Sequence, residues 1–403
     1  MKNKQPYLYL FLGIVSLLGV NGITDSGMFG NYCGLLMRIW SLFHLCLIVI
    51  HGYLRGPIRY FTLFVMLLML YSLIPAIQGE TYTYTDSYGV STTMSAFNYA
   101  NVSWMFASPV FSFYWFTKRG FIDKKFIRFL TIVGVFYCIL LFIQTNIIYA
   151  ERAYSADSGH TNNSAYVFLH LFPLLFFFKD KVRLQYILLL IVFFAIIIGA
   201  KRGALLIAVV CLPLFLRENI KLASKNKTSL IFFSIFALLL ISMIMWYEYV
   251  NNSYFHDRMK SLFEGDSSQR DDYYSLLWTF YVTNFDIYEQ LFGFGINGPL
   301  VIIGDYAHND WLEYLISFGF IGFLVYGLYM FSLFKFYFKN RRFNKELSNS
   351  FLITIIILFM SSLFSMSYTG MTIFITFSLA YTICNMESNT YSPNARRFRT
   401  KVQ

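Results

Sequence analysis

The sequence predicts an all-α polytopic membrane protein with about twelve transmembrane helices. Apolar runs of about 20 residues recur along its whole length, and each is long enough to cross a bilayer as a helix. Of the 403 residues, 57% are hydrophobic and only 13% are charged, whereas soluble proteins carry roughly 25% charged residues. Because packed spans form one unit, we expect a single integral membrane domain over residues 1–403.

The apolar runs divide the chain into twelve predicted spans, two of which are separated by Lys201 alone. Their approximate bounds are 7–20, 32–50, 58–78, 94–117, 126–149, 163–178, 184–200, 202–217, 229–250, 311–334, 349–367 and 371–386. Most of the 32 Lys and Arg residues fall in alternate loops, so the positive-inside rule places both termini in the cytoplasm. This orientation leaves 251–310 as a large external loop that contains amphipathic helices.

A few cations lie on the outer side and oppose this charge bias. They are Arg152, Lys201, Arg202, Arg258, Lys260 and Arg270. The net charge of +11 therefore reflects topology and does not indicate a nucleic-acid partner. The five cysteines lie in or beside apolar runs without a CxxC pair, which is typical of buried hydrophobes and not of disulfides or metal ligands.

The stretch GAKRGALL, residues 199–206, places two of these cations between two apolar spans. One interpretation is a pair of side chains that snorkel to the membrane interface. The other is an anion site, since the planar fork of Arg202 matches phosphate oxygens two at a time. Gly203 would allow close approach by a substrate or by another backbone. Arg38, within the second span, is a costly position for a charge and a candidate cavity residue.

A second stretch, 267–291, has apolar residues at helical spacing and predicts an amphipathic helix on the mouth of the bundle. Ser268 and Asp271 have the spacing of a capping box at its start. Arg270 would then lie in the first turn, near backbone N–H groups that attract anions. The alternative is an ordinary solvated cluster in which the neighbouring aspartates neutralise Arg270.

A third stretch contains LFGFGINGP followed by GDYAHNDWLEYL. Its glycines predict turns and not a phosphate-binding loop, because no strand precedes them. Asp310 and Glu313 resemble a helix N-cap pair, and a helix N-terminus keeps the imidazole of His308 neutral and able to accept a proton. Asp305, His308 and Asp310 also have a spacing compatible with a metal site, although no second histidine is near.

Together these stretches resemble the O-antigen ligase/polymerase superfamily of bacterial envelope glycosyltransferases. The resemblance is carried by the Arg-Gly pair at 202–203, by Arg270 in the large loop, and by a GFG turn before AHNDWLEYLISFGFIGFLVYG. The stretch TNNSAY at 161–166 is also similar, and its Asn162 and Asn163 are candidate sugar contacts or turn residues.

The resemblance implies a GT-C-like bundle and a metal-independent, inverting glycosyltransferase without cofactor. It implies that His308 is the general base and that Arg202 and Arg270 bind the pyrophosphate of an undecaprenyl-linked donor. We expect the substrate cavity to include Arg38, Lys201, Asn162, Asn163 and Asn309. The proton transfer and the leaving-group charge fit these residue types, because one histidine and two arginines suffice without a metal.

We therefore expect an enzyme of the bacterial inner membrane whose site faces the periplasm. Its function would be polymerisation of undecaprenyl-pyrophosphate-linked oligosaccharide repeats, since aromatic outer loops suit sugar binding. Transfer of finished polymer to lipid A-core is the alternative. A twelve-span transporter or flippase is a weaker alternative, because such folds repeat their halves and no repeat is visible. Membrane lipids, a chain-length regulator and a flippase are the expected partners.

Overall fold

The computed structural model describes residues 28–79, 81–85, 91–95, 107–152, 164–222, 227–265, 270–342, 344–365 and 372–391. The described chain is nearly all helical, as the sequence predicts. The first half contains α1 (Met28–Ile50), α2 (Gly56–Ile77), β1 (Thr81–Thr85), β2 (Ser91–Ser95), α3 (Pro109–Lys118), α4 (Lys124–Arg152), α5 (Ser164–Leu171), a 3₁₀ segment (Phe172–Phe178) and α6 (Val182–Ile198).

The second half carries the long loop and the remaining spans. It contains α7 (Arg202–Leu222), α8 (Lys227–Asn251), α9 (Ser253–Phe263), α10 (Arg270–Thr283), α11 (Ile287–Phe292), α12 (Gly298–Ile303), α13 (Asp310–Asn340), α14 (Lys345–Phe364) and α15 (Ile373–Tyr391). The predicted loop 251–310 is therefore built from four short helices. The single predicted helix over 267–291 is wrong in one respect, because it is divided between α10 and α11.

Five helices in the described part are long and apolar enough to cross a membrane: Lys124–Thr145, Arg202–Lys221, Lys227–Asn251, Asp310–Asn340 and Lys345–Phe364. Shorter apolar helices cover Ile39–Ile50, Gly56–Tyr71, Ser164–Phe178, Val182–Ile198 and Ile373–Glu387. These helices identify a helical membrane protein. The predicted first span, 7–20, lies outside the described residues, and the count of twelve stays a prediction.

Within the described residues, a short pair of antiparallel strands is the one departure from the expected all-α chain. Strands β1 and β2 pair antiparallel, with Thr83 opposite Thr93 and their hydroxyl oxygens 2.8 Å apart. The predicted span 94–117 starts inside β2, so that start is wrong, and the helix in this region is α3. Thr and Tyr alternate along TYTYT, and both residue types favour strands. This alternation predicts a strand, whereas the apolar residues that follow predicted a membrane helix.

Aromatic side chains fill the core between α2 and α13. Phe64 stacks on Tyr329 with ring centroids 5.4 Å apart, and Tyr314 stacks on Tyr326 at 4.5 Å. All four side chains are almost fully buried. This packing fixes the first turns of α13, which immediately follow His308 in the chain.

Helix α13 is broken at Gly319, whose φ of 64° and ψ of −168° are not helical. The GFG turn packs against this break: the N–H of Phe294 donates to the Ile316 carbonyl at 2.8 Å, and that of Gly295 to Ser317 at 3.0 Å. A side chain on Gly319 would overlap the backbone of Leu291. The glycines of this turn therefore permit a close backbone contact between the external loop and α13.

Candidate active site

A cavity of about 340 Å³ opens where α7, α9, α10 and the end of α14 meet. Four cations line it: Lys201, Arg202, Arg258 and Arg270. The remaining lining residues are Tyr166, Gly203, Leu206, Leu262, Gly265, Asp271, Tyr274, Leu363 and Phe364. Asp271 is the one carboxylate among the lining residues that the structure describes, so this described lining has an excess of positive charge and suits an anionic ligand.

The short link between α6 and α7 presents the first two cations. Helix α6 ends at Ile198, Ala200 turns the chain with φ of 48°, and α7 begins at Arg202. The Arg202 guanidinium donates from Nη1 to Ser261 Oγ at 2.9 Å, which ties it to α9. The predicted boundary at Lys201 is confirmed, and the GAKRGALL stretch does form part of a cavity.

Gly203 follows Arg202 in the chain and lies against the side chain of Tyr166. A Cβ atom at this position would overlap the Tyr166 hydroxyl oxygen and would lie 3.4 Å from Cζ. Gly203 therefore allows a close contact with a side chain of the protein itself, whereas the approach of a substrate or of another backbone stays a prediction. The glycine lets α5 and α7 come together beside the cavity.

Arg270 opens α10, as the sequence predicts, and reaches across to α14. Its Nη1 donates to the Phe364 carbonyl oxygen at 3.0 Å, a contact between residues far apart in sequence. Ser268, which was predicted to form a capping box with Asp271, lies outside the described residues. A complete capping box occurs instead at α11, where Asp286 and Glu289 exchange hydrogen bonds with each other's backbone N–H.

His308 lies just before α13 with a left-handed φ of 51°. Its Nε2 is 3.9 Å from Asp305 Oδ1, and its side chain is 38% exposed. Partial burial lowers the pKa of His308 below its usual value, and the charges of Arg270 and Lys201 lower it further, while Asp305 opposes them. The imidazole is therefore neutral at neutral pH and shares the electrostatic environment of the cation cavity.

The residues after His308 hold it in place, but not as predicted. The cap of α13 is Asn309, whose Oδ1 accepts from the N–H groups of Trp311 and Leu312. The predicted cap pair of Asp310 and Glu313 is therefore wrong. Both lie inside the helix and are fully buried.

These buried acids have other partners. Asp310 Oδ2 accepts from the Tyr326 hydroxyl at 2.8 Å, and Glu313 Oε2 accepts from the Ala307 N–H at 3.1 Å. Asn309 Nδ2 also donates to the Leu363 carbonyl at 3.4 Å. Asn309 and Glu313 thus fix the backbone on both sides of His308, and Asn309 serves as a positioning residue.

The neighbouring cations change the pKa of Lys201. Burial and the neighbouring guanidinium groups of Arg258, Arg270 and Arg202 lower the pKa of Lys201 to about 8. A bound anion would reverse part of this effect, because an opposite charge favours the protonated amine. Lys201 lines this cavity, and its place in a substrate cavity stays a prediction.

The predicted roles of Asn162, Asn163 and Arg38 in the site stay predictions. Asn162 and Asn163 lie outside the described residues, and Arg38 belongs to α1 but its side chain is not described. Within the described ranges, no group of three His, Cys, Asp or Glu side chains is arranged to hold a metal ion. The alternative metal set is contradicted at Asp310, which is fully buried and bonded to Tyr326.

Arg258 and Tyr274 are two of the lining residues that were not among the predicted site residues. Arg258 was recognisable only as one of the outer cations that oppose the charge bias. Tyr274 follows Arg270 by four residues, and its hydroxyl is hydrogen-bonded to Asn309, but no sequence pattern distinguishes it from the many other tyrosines.

Residues 187–327 match the sequence model of a family described as O-antigen ligase. The match covers about a third of the chain and includes Arg202, Arg270 and His308. No curated protein matches the chain. The predicted resemblance to the O-antigen ligase/polymerase superfamily is confirmed, and the match supports a ligase- or polymerase-type function for a multi-pass membrane protein.

Proposed function

We propose that this O-antigen ligase-like chain is a glycosyltransferase that uses a saccharide donor linked to undecaprenyl pyrophosphate. The observation that carries the proposal is the cavity in which four cations meet next to a neutral histidine. A diphosphate supplies the negative charge that this cavity attracts, and the histidine supplies a base for a sugar hydroxyl.

The reaction divides the work between these groups. His308 takes the proton of the acceptor hydroxyl while its oxygen attacks the anomeric carbon of the donor sugar. The bond between that carbon and the diphosphate oxygen breaks, and the diphosphate leaves with the electron pair. Arg202 and Arg270 stabilise the growing negative charge, which is the role of preorganised donors in a transition state. Attack opposite to the leaving group inverts the anomeric centre, and the step needs no metal.

Polymerisation of repeat units is the activity we favour. The external loops are rich in Tyr and Thr, and β1 and β2 present TYTYT and STTMS, residue types that suit contacts with sugars. Transfer of a finished polymer to lipid A-core is the second candidate, favoured by the description of the matching family as O-antigen ligase.

The site is proposed to face the periplasm, with both termini in the cytoplasm of a bacterial inner-membrane protein. The supporting observation is that the cavity cations oppose the charge bias of the remaining loops. A cysteine introduced at residue 267 should react with impermeant reagents in intact cells. Labelling only after the cells are opened would place the loop on the cytoplasmic side of the membrane.

The test of function is a reconstitution with purified protein and a synthetic undecaprenyl-pyrophosphate repeat. A ladder of lengthened lipid-linked products supports polymerisation, and product formed only after lipid A-core is added supports ligation. Both activities should persist in excess EDTA. Wild-type product from His308→Ala, or activity that EDTA removes and magnesium restores, would contradict the mechanism.

A further inference from the structure

Helix α9 brings a third arginine into the cavity from an element separate from those that carry Arg202 and Arg270. The N-cap of α9 is Asn252, whose side chain accepts from the Phe255 N–H at 3.1 Å. Phe255 and Met259 are buried, so this helix has a fixed orientation against the bundle.

Arg258 lies on the packed face of α9. Phe255, Arg258, Met259 and Leu262 are spaced by three and four residues and therefore form one stripe along the helix. Phe255 and Met259 anchor this stripe in the core, while Arg258 and Leu262 line the cavity. Lys260 lies off the stripe, is 60% exposed and pairs with Glu264 at 3.8 Å. The fold thus places Arg258 inward and Lys260 outward on the same helix.

A charge on a packed face is costly unless a partner compensates it. The Nε atom of Arg258 is buried and has no hydrogen-bond partner among the described residues. The ring of Tyr254 lies 6.0 Å from its guanidinium carbon, which is a weak contact at the limit of a cation–π interaction. A snorkelling or topological cation would instead place its polar atoms in water.

The same helix also orients Arg202. Ser261 accepts from Arg202 Nη1 at 2.9 Å and donates to the Arg258 carbonyl oxygen at 3.2 Å. One short segment therefore links the backbone of Arg258 to the side chain of Arg202. The two guanidinium groups are held at a common cavity despite their like charge.

We propose that Arg258 is a third diphosphate-binding residue, which contacts the donor together with Arg202 and Arg270. This inference rests on the proposed function, because it takes the cavity ligand to be a diphosphate. A diphosphate has enough terminal oxygens for several guanidinium forks, and each fork accepts two of them. The buried Nε–H of Arg258 then gains the partner that it lacks.

The test measures binding of inorganic diphosphate to the purified full-length protein in nanodiscs by calorimetry. Arg258→Met keeps an unbranched apolar side chain and removes the guanidinium group, and Lys260→Met likewise removes a charge on the outer face of α9. We expect Arg258→Met to weaken binding about 10- to 100-fold, the range for a lost charge-assisted hydrogen bond. Lys260→Met should stay within about twofold of wild type.

The outcomes separate this inference from the proposed function. Weakening by Arg202→Ala together with wild-type affinity from Arg258→Met would overturn the role of Arg258 and leave the diphosphate site intact. Absence of diphosphate binding by the wild-type protein would overturn both. If Arg258→Met fails to fold by size exclusion, Arg258→Lys carries the test, and wild-type affinity from that variant would refute a bidentate contact.

Discussion

Replacing Gly203 by alanine tests whether the close contact between α5 and α7 holds the cavity together. The new Cβ would lie about 1 Å closer to the Tyr166 hydroxyl oxygen than an ordinary van der Waals contact allows. Its distance of 3.4 Å from Cζ of the same ring is an ordinary contact. The tyrosine ring or the start of α7 must therefore move. Overpacking of this kind costs about 1–3 kcal/mol, and a shift of about 1 Å at a catalytic group can cost roughly 100-fold in rate.

A second substitution makes this prediction specific. Tyr166→Phe removes the oxygen that Gly203→Ala would strike, and it costs about 1 kcal/mol alone through the lost hydrogen bond to Ser365. The double variant should therefore be more stable and more active than Gly203→Ala. Thermal unfolding in detergent and polysaccharide formation in a deletion strain measure the two effects. Equal losses from the single and double variants would refute the steric explanation.

Three further predictions concern the reacting groups. His308→Ala should lower the rate of glycosyl transfer by about 10²–10⁴-fold and leave diphosphate affinity unchanged, and a parallel loss of affinity would contradict its role as base. Asp305→Asn should move the acidic limb of the pH–rate profile to lower pH, because the carboxylate raises the pKa of His308 and the neutral imidazole exists above that pKa. A shift to higher pH would contradict this sign. Arg202→Lys should keep less than about a tenth of the activity at normal membrane levels, because an ammonium group lacks the planar fork of a guanidinium group. Full activity of this variant would show that the positive charge alone is required.

The sequence was sufficient to predict the class of fold and three of the four cations that line the cavity in the described residues, Lys201, Arg202 and Arg270. Arg202 and Arg270 are also two of the six cations that oppose the predicted charge bias of the loops. Helix boundaries such as 198 and 202 follow from apolar runs that a cation interrupts. These signals are local in sequence, or are summed over the whole chain, and neither kind depends on tertiary contacts.

The errors come from features that tertiary contacts decide. Asp310 has the residue type and spacing of a cap, but Tyr326 binds it in the core, so Asn309 caps the helix instead. Nothing in the sequence shows that Arg258 lies on the packed face of α9, because that depends on which side of the helix meets the bundle. The pairing of residues 81–85 with 91–95 likewise depends on contacts between two segments, which apolar runs in the sequence do not reveal.

Each polar residue that follows His308 in the chain, Asn309, Asp310 and Glu313, makes a different hydrogen bond near the start of α13. A non-glycine residue with φ near 51° is strained, and such strain persists only where the surroundings determine it. Glu313 holds the Ala307 N–H on one side, and Asn309 caps α13 and reaches α14 on the other. Because Asp310 at the same time anchors the helix start to Tyr326, the backbone beside His308 is tied to the stacked aromatic core. The role proposed for His308 as general base requires a fixed position as well as a suitable pKa, and the backbone contacts of the AHNDWLE stretch fix its main chain.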